Sequence, residues 1–461
     1  MTENLEAAVV RKVVWRFIPL LMAGEIVLKI DLNNISIGAL TMNADLGLSA
    51  ATYGLAAGIY FWAYCLLELP SNLILTKVGS RVWISRIMLL WGLITIASAF
   101  LIHSGTSLIV MRVVLGAAEA GYSPAAIYFI SRWFPKAIRA RMYGMFVASL
   151  AVSALFSPAM GYILKMDGVA GLAGWRWLFI LTGIPAVVVS IACAVWLRNG
   201  PHQVKWLSPA ERGWLQDTLD QERRQQDAVK KHSIGTALRD PRLLALCAVY
   251  FLIAFSYNGY SLWLPQVLHS LGLGNTAVGW FAALPALLAI GPLLWWLRHS
   301  DRSRERVVHF VIPALIAAAG LTVAGLSLAV PVLAIAGFCV SLFGILASLS
   351  VFWSLPTAYL TGGAAAAGIG LIHTVANSSG YFGPQLIGVI KSATGSFAGG
   401  VLVLGVASLI AAALVFVLGR HSALRDSLAL EREHHATRTD AVPGRMPGGS
   451  PEHRKSELGG R

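Results

Sequence analysis

Arg112 and Glu119 stand seven residues apart inside a stretch, Arg112 to Pro124, that otherwise has the composition of a membrane span. On a helix of roughly 3.6 residues per turn both side chains leave one face at different depths, with Gly116 between them. An ionised group at bilayer depth costs at least a few kcal/mol, so it faces a water-filled cavity or a partner within a bundle. Two readings follow: an internal salt bridge that holds helices together, or the charged wall of a solute or proton path. His373 and Asn377 lie four apart, hence on one helical face, and both can hydrogen-bond a carboxylate or a hydroxyl. His373 is equally readable as a packing histidine. Tyr64, Tyr260 and Trp263 could form the aromatic lining of a solute pocket, or anchor at the lipid interface, or simply pack.

Those residues need a membrane around them, and the composition provides one. The 461 residues are 56% hydrophobic and only 13% charged, with a mean hydropathy of +0.68; a soluble globular chain would be about a quarter charged. The formal charge of +14 would suggest nucleic acid in a soluble domain, but here the cations gather in short loops, the positive-inside pattern of a multi-pass protein. No nucleic-acid partner is expected. Cys65, Cys193, Cys247 and Cys339 all fall in apolar spans and read as small buried hydrophobes. The first apolar span lacks a small-residue cleavage site and reads as a retained helix.

Apolar runs of roughly 20 residues recur about six times in residues 1–197 and about six times in 242–419. The expected fold is therefore an all-α membrane protein of about twelve spans in two six-helix halves. Lys77, Arg81 and Arg86 follow the second span, and Arg132, Lys136, Arg139 and Arg141 the fourth. These loops are expected to be cytoplasmic, with both termini on the same side of the cell membrane. Residues 198–241 form a polar connection in which Ser208-Pro209-Ala210-Glu211 reads as a capping box that starts an amphipathic helix through Leu215, Leu219 and Glu222. The tail, 420–461, is expected to be disordered.

Two internal echoes support a duplicated half. Ser153-Ala-Leu-Phe156-Ser-Pro158 in the fifth span answers Ser379-Gly-Tyr-Phe382-Gly-Pro384 in the eleventh, and the loop from Asn72 through Lys77 to Arg81 answers Arg298-His-Ser-Asp301-Arg302. In order along the chain, Glu68-Leu-Pro70-Ser71-Asn72, Arg112 to Pro124 with Trp133-Phe134-Pro135, Gly174-Trp-Arg-Trp-Leu-Phe179, Trp263-Leu-Pro265-Gln266, His299-Ser-Asp301-Arg302 and Asn377 to Pro384 resemble the major facilitator superfamily. Within it they resemble the anion:cation symporters, which include bacterial tartrate, phthalate, hydroxyphenylacetate and sugar-acid permeases. The resemblance implies two halves that rock about a midplane site. It also implies gate roles for Lys77, Arg81, Asp301 and Arg302, although Lys77 is equally explained by membrane orientation alone.

The first helix departs from that pattern. Arg16, Pro19, Asp31 and Asn34 match, but Glu25 and Lys29 replace two tyrosines and Leu32 replaces the arginine that the family tends to use for a substrate carboxylate. Thr182 stands where a glutamate is common and His373 where an asparagine is common. Asp31 and Glu119 match the family's membrane carboxylates, which can load and release protons; Arg112 would expel the proton on approach. For Asp31 a packing salt bridge with Lys29 competes with that reading. Lys29, with Glu25 four residues before it, is the candidate replacement for the missing arginine, unless the two only neutralise each other.

The expected function is secondary active, proton-coupled import of a small organic acid by a monomer, with sodium as the other candidate ion. Export of a drug or metabolite, and solute sensing without transport, are the alternatives. No P-loop, zinc-protease motif or nucleophile elbow is present, so no enzyme, cofactor or metal is expected.

Overall fold

The computed structural model describes residues 2–227, 241–303, 305–359 and 363–420, and every regular element among them is helical. The N-terminal half comprises α1 (Thr2–Asp45), α2 (Ala50–Val78), α3 (Ser80–Leu101), α4 (Gly105–Glu119), α5 (Tyr122–Trp133), α6 (Lys136–Ala154), α7 (Ser157–Ile163) and α8 (Gly174–Trp196). After α9 (Pro209–Asp227) come α10 (Pro241–Ser270), α11 (Asn275–Ser303), α12 (Arg306–Leu326), α13 (Pro331–Phe352), α14 (Ser354–Tyr359), α15 (Gly363–Thr394) and α16 (Ala398–Arg420). The tail from 421 and the stretch 228–240 of the connection lie outside the described residues.

Nine spans among the described residues are long and apolar enough to cross a membrane, and α1, the α6–α7 pair and α15 bring the total to twelve, six in each half. Mean hydropathy passes over α1 because Glu25, Lys29 and Asp31 interrupt it. At 1.5 Å per residue α1 is about 66 Å long, twice the hydrocarbon thickness, so its first turns project from the bilayer. Val188, Ile191 and Val195 on α8 and Val406, Leu409, Ile410 and Val417 on α16 leave apolar stripes exposed, as lipid-facing surfaces require.

The buried apolar side chains show how the halves meet. One cluster runs across both, from Ile35 and Tyr53 through Trp175 to Trp263, Ile345 and Leu404. At the end that carries the termini the core divides: one cluster, around Phe17, Trp91 and Trp133, belongs to the N-terminal half, and another, around Leu246, Phe310 and Phe352, to the C-terminal half. The halves are therefore joined at the end away from the termini and separate at the other.

Local chemistry fixes the helix ends. Ser49 caps α2 by accepting from the Thr52 N–H at 3.1 Å, and Ser104 with Ser107 forms a reciprocal capping box on α4. The fifth and eleventh spans then differ in a way their shared Ser, Phe and Pro do not announce. A proline ring clashes with the carbonyl four residues back, and α6 ends at Ala154, the residue at that distance from Pro158. Helix α15 runs unbroken past Pro384, with Gly380 in the equivalent place.

Helix α9 is docked on the N-terminal half. Leu215 and Leu219 are buried in its core, Lys12 meets Glu211 at 2.6 Å and Arg139 meets Glu222 at 3.1 Å. Its start is a reciprocal cap: the Ser208 N–H donates to Glu211 at 2.8 Å, and the Glu211 N–H donates to the Ser208 hydroxyl at 3.3 Å.

Candidate functional site

Helices α1, α2, α4 and α8 enclose a buried polar group. Arg112, Glu119, Asp31, Asn34 and Thr182 are all buried. The Asn34 amide donates to Asp31 Oδ1 and to the Thr182 hydroxyl, each at 3.0 Å, which ties α1 to α8. Asp31, Glu119 and Arg112 lie within electrostatic reach of one another, and among the described residues Asp31 Oδ2 and Glu119 Oε1 accept no hydrogen bond.

The Arg112 guanidinium finds no hydrogen-bond acceptor among the described residues. It lies instead over the ring of Tyr60, 4.6 Å from the centroid, while the Tyr60 hydroxyl donates to Glu119. Among the described residues Arg112 forms no salt bridge to another helix; Tyr60 of α2 touches both Arg112 and Glu119 instead. Gly116 makes this contact geometry: a Cβ there would collide with the backbone carbonyl of Tyr60, so only glycine lets α2 come so near α4. Gly121 follows with φ of 96°, and this left-handed turn ends α4 directly after Glu119 and starts α5.

A second polar region lies where the halves face each other. Lys29 Nζ is 3.4 Å from Glu25 Oε1, and the Ser123 hydroxyl donates to Glu25 Oε2 at 3.0 Å. Lys29 therefore pairs with Glu25 and not with Asp31. One turn further along α1, Asn33 accepts from the Ser261 hydroxyl of α10 at 3.0 Å, and Asn43 donates to Gln266 at 3.0 Å. From α15, the Asn377 amide reaches Glu68 on α2 at 3.4 Å. Tyr64 is half-buried, its ring 6.0 Å from that of Tyr60.

The other candidates are spread out. His373 is exposed on α15 and stacks on Trp353 at 5.0 Å; the Trp353 indole in turn donates to the Tyr250 hydroxyl at 3.2 Å. Tyr260 and Trp263 are buried, with their polar atoms donating to the Phe338 and Pro384 carbonyls. Tyr260 packs on Phe338 within the C-terminal half, whereas Trp263 reaches across to Tyr53 of α2, ring to ring at 4.9 Å; among the described residues neither forms a hydrogen bond or ring contact with Lys29 or Arg112. In the loops, Arg81 donates from Nε to the Ala194 carbonyl at 2.7 Å and Asp301 pairs with Arg306 at 3.1 Å, each within its own half. Lys77 and Arg302 are exposed. Among the described residues no three His, Cys, Asp or Glu side chains cluster to hold a metal, and the four cysteines are free.

Tyr60 and the cross-half contacts of Asn33 with Ser261 and of Asn43 with Gln266 had no place in the sequence argument. Tyr60 was findable, since it stands four residues before Tyr64 and so shares its helical face. Asn33 was not, because its partner is 228 residues away.

Comparison with known proteins places this architecture. The model of the Major Facilitator Superfamily matches residues 21–384. A protein of Agrobacterium vitis that carries the provisional name tartrate transporter is 40% identical over 423 residues, 92% of this chain and 94% of its own. The quinolone resistance transporter of Acinetobacter baumannii is 38% identical, covering 90% of this chain and 96% of its own. In structure, the inward open xylose transporter XylE of E. coli superposes with a TM-score of 0.73 over 90% of this chain and 99% of that one, at 14% identity.

Proposed function

The chain belongs to the major facilitator superfamily, a multi-pass membrane transporter rather than an enzyme, and from that premise we propose that it imports a small organic acid together with protons by alternating access. The observation that carries the proton is the buried group of Asp31, Glu119 and Arg112. Two carboxyls against one guanidinium form a set that is neutral when it holds one proton, and a dry interior favours the neutral state. A proton held by either Asp31 or Glu119 gives that state, and the Tyr60 hydroxyl donates to the latter. Swinging Arg112 off the Tyr60 ring onto Glu119 makes an ion pair and releases the proton. Sodium has a weaker claim, since the Arg112 guanidinium already acts on both carboxyls and would repel a second fixed cation between them.

Lys29 supports the organic acid, as a cation where the halves meet, and Tyr64, within electrostatic reach of Glu25 and Glu68, and Asn377, on Glu68, would complete the solute site. The name of the Agrobacterium relative agrees with a carboxylate. The lysine- and arginine-rich loops support an arrangement with both termini in the cytoplasm; in that frame the joined end of the halves is the outer one. Lys77, Arg81, Asp301 and Arg302 would then be the hardware of the inner gate.

Proteoliposomes under an imposed inward proton gradient test the reading. Glu119→Gln should abolish concentrative uptake and retain counterflow; accumulation that survives in this variant and follows sodium overturns it. Export is the second reading, favoured by the name of the Acinetobacter relative. Uptake into inverted but not right-side-out vesicles would decide for it.

A further inference from the structure

The charges at the interface of the halves are not those of a simple anion site. Lys29 and Glu25 form a closed pair, with the lysine side chain a quarter exposed and the glutamate side chain 5% exposed. Residues 25, 29 and 33 are successive turns of one face of α1, and that face looks at the other half: Asn33 bonds Ser261 of α10, and Tyr257 of α10 is within electrostatic reach of Lys29. From α2, Glu68 faces the same interface, where Asn377, a neutral amide, is 3.4 Å away. Tyr64 on α2 is within electrostatic reach of both Glu25 and Glu68, so among the described residues Glu25, Glu68 and Lys29 border one region, with Glu119 of the buried group also within reach of Lys29.

An anionic solute that displaces Glu25 from Lys29 leaves it buried with only the Ser123 hydroxyl at 3.0 Å as partner among the described residues, and one that shares the ammonium sets two carboxylates against one cation. Breaking one side of a buried ion pair is the most costly change such a pair can undergo. It also adds a third negative charge beside Glu68. A solute with a carboxylate and a cationic nitrogen avoids both costs, because it exchanges pair for pair: its carboxylate takes Lys29, its nitrogen takes Glu25, and no charge is stranded. Glu68 offers the nitrogen a second acceptor from the opposite wall of the region, and Asn377 is already the kind of neutral partner that would yield it.

We propose that the solute is a zwitterionic acid, read at its carboxylate by Lys29 and at a protonated amine by Glu25 and Glu68. This rests on the organic-acid reading given above and narrows it. Substrate choice then depends on the amine as much as on the acid, since a site built to pair both charges rejects a molecule that lacks one.

The test uses matched acids of one skeleton that differ only in a hydroxyl or an ammonium at the α-carbon: lactate and alanine, malate and aspartate, phenyllactate and phenylalanine. Each competes in counterflow with the full-length protein in liposomes, and the readout is the ratio within a pair. The amino member should win at least tenfold for the skeleton that fits. Glu68→Gln should bring that ratio towards one, and Glu25→Gln should do the same where it folds. Lys29→Gln should weaken the amino acid too. A preference for the hydroxy acid in every pair, or a ratio untouched by Glu68→Gln and Glu25→Gln, overturns the zwitterion and leaves the organic-acid reading standing. Amines without a carboxylate that compete as well as the amino acids, with Lys29→Gln silent, overturn the organic-acid reading as well. No competition by any member of any pair counts against the proposal itself.

Discussion

Tyr60 joins two charged groups that the chain keeps seven residues apart, and it does so with different parts of one side chain: the ring under Arg112 and the hydroxyl on Glu119. The two functions can be separated. Tyr60→Phe keeps the ring and removes the donor, so Arg112 should stay put while Glu119 loses a bond to a charged or proton-sharing group, about 1–3 kcal/mol. Concentrative uptake should fall and its pH profile should move, with counterflow at neutral pH retained. Tyr60→Ala removes both and should also lower thermal stability in detergent, about 3–5 kcal/mol for a buried aromatic. An unchanged pH profile in the phenylalanine variant would leave Tyr60 a packing residue. At this scale the sequence was legible where a residue violated its surroundings: Arg112, Glu119, Lys29 and Asp31 are costly in a span and so draw notice. Tyr60 violates nothing, and an aromatic among apolar residues gives no signal of what its hydroxyl meets.

Elements were legible where local rules govern them and less so where packing does. The start of α9 follows from Ser208 and Glu211 alone, because a capping box closes within four residues. The different fates of Pro158 and Pro384 follow from what surrounds each helix. For α9 the docking has a pH signature. The hydrogen bond from Lys12, with the Ser208 N–H, holds the Glu211 carboxyl below its ordinary value. A depressed folded value means that Glu211 binds its proton more weakly when α9 is docked. Its contribution is complete above the ordinary glutamate range, about 4.3, and is lost as pH falls through the lower docked value. Proteolysis of the connection, or the emission of Trp206, which stacks on Trp133 at 6.3 Å, should therefore report release of α9 only in acid. Glu211→Gln should loosen α9 at neutral pH and flatten that dependence; a variant with the parent's acid transition would mean that Leu215 and Leu219 hold the helix without it.

For the whole molecule, twelve spans in two halves could be counted from apolar runs, but which end of the pair is shut could not. Closure is made by contacts such as Asn43 with Gln266, 223 residues apart, and by an apolar core that is continuous at one end and divided at the other. No window along the chain contains that information. The loops carry the complementary half of the argument. Arg81 and Asp301 are each bonded within their own half, so in this conformation they do not bridge the divided end, and the gate role proposed for them belongs to the opposite conformation, where that end is shut. Asp301→Asn should then leave the present conformation intact and weaken the other. A cysteine pair made by Asn43→Cys and Gln266→Cys, in a background lacking the four native cysteines, reports the joined end through its cross-linking rate. With Asp301→Asn added the rate should rise, by up to about fivefold if an exposed ion pair of about 1 kcal/mol is lost from the opposite state. A rate that stays the same or falls would mean that Asp301 serves only its pair with Arg306, and that the closure of the divided end is carried by other residues.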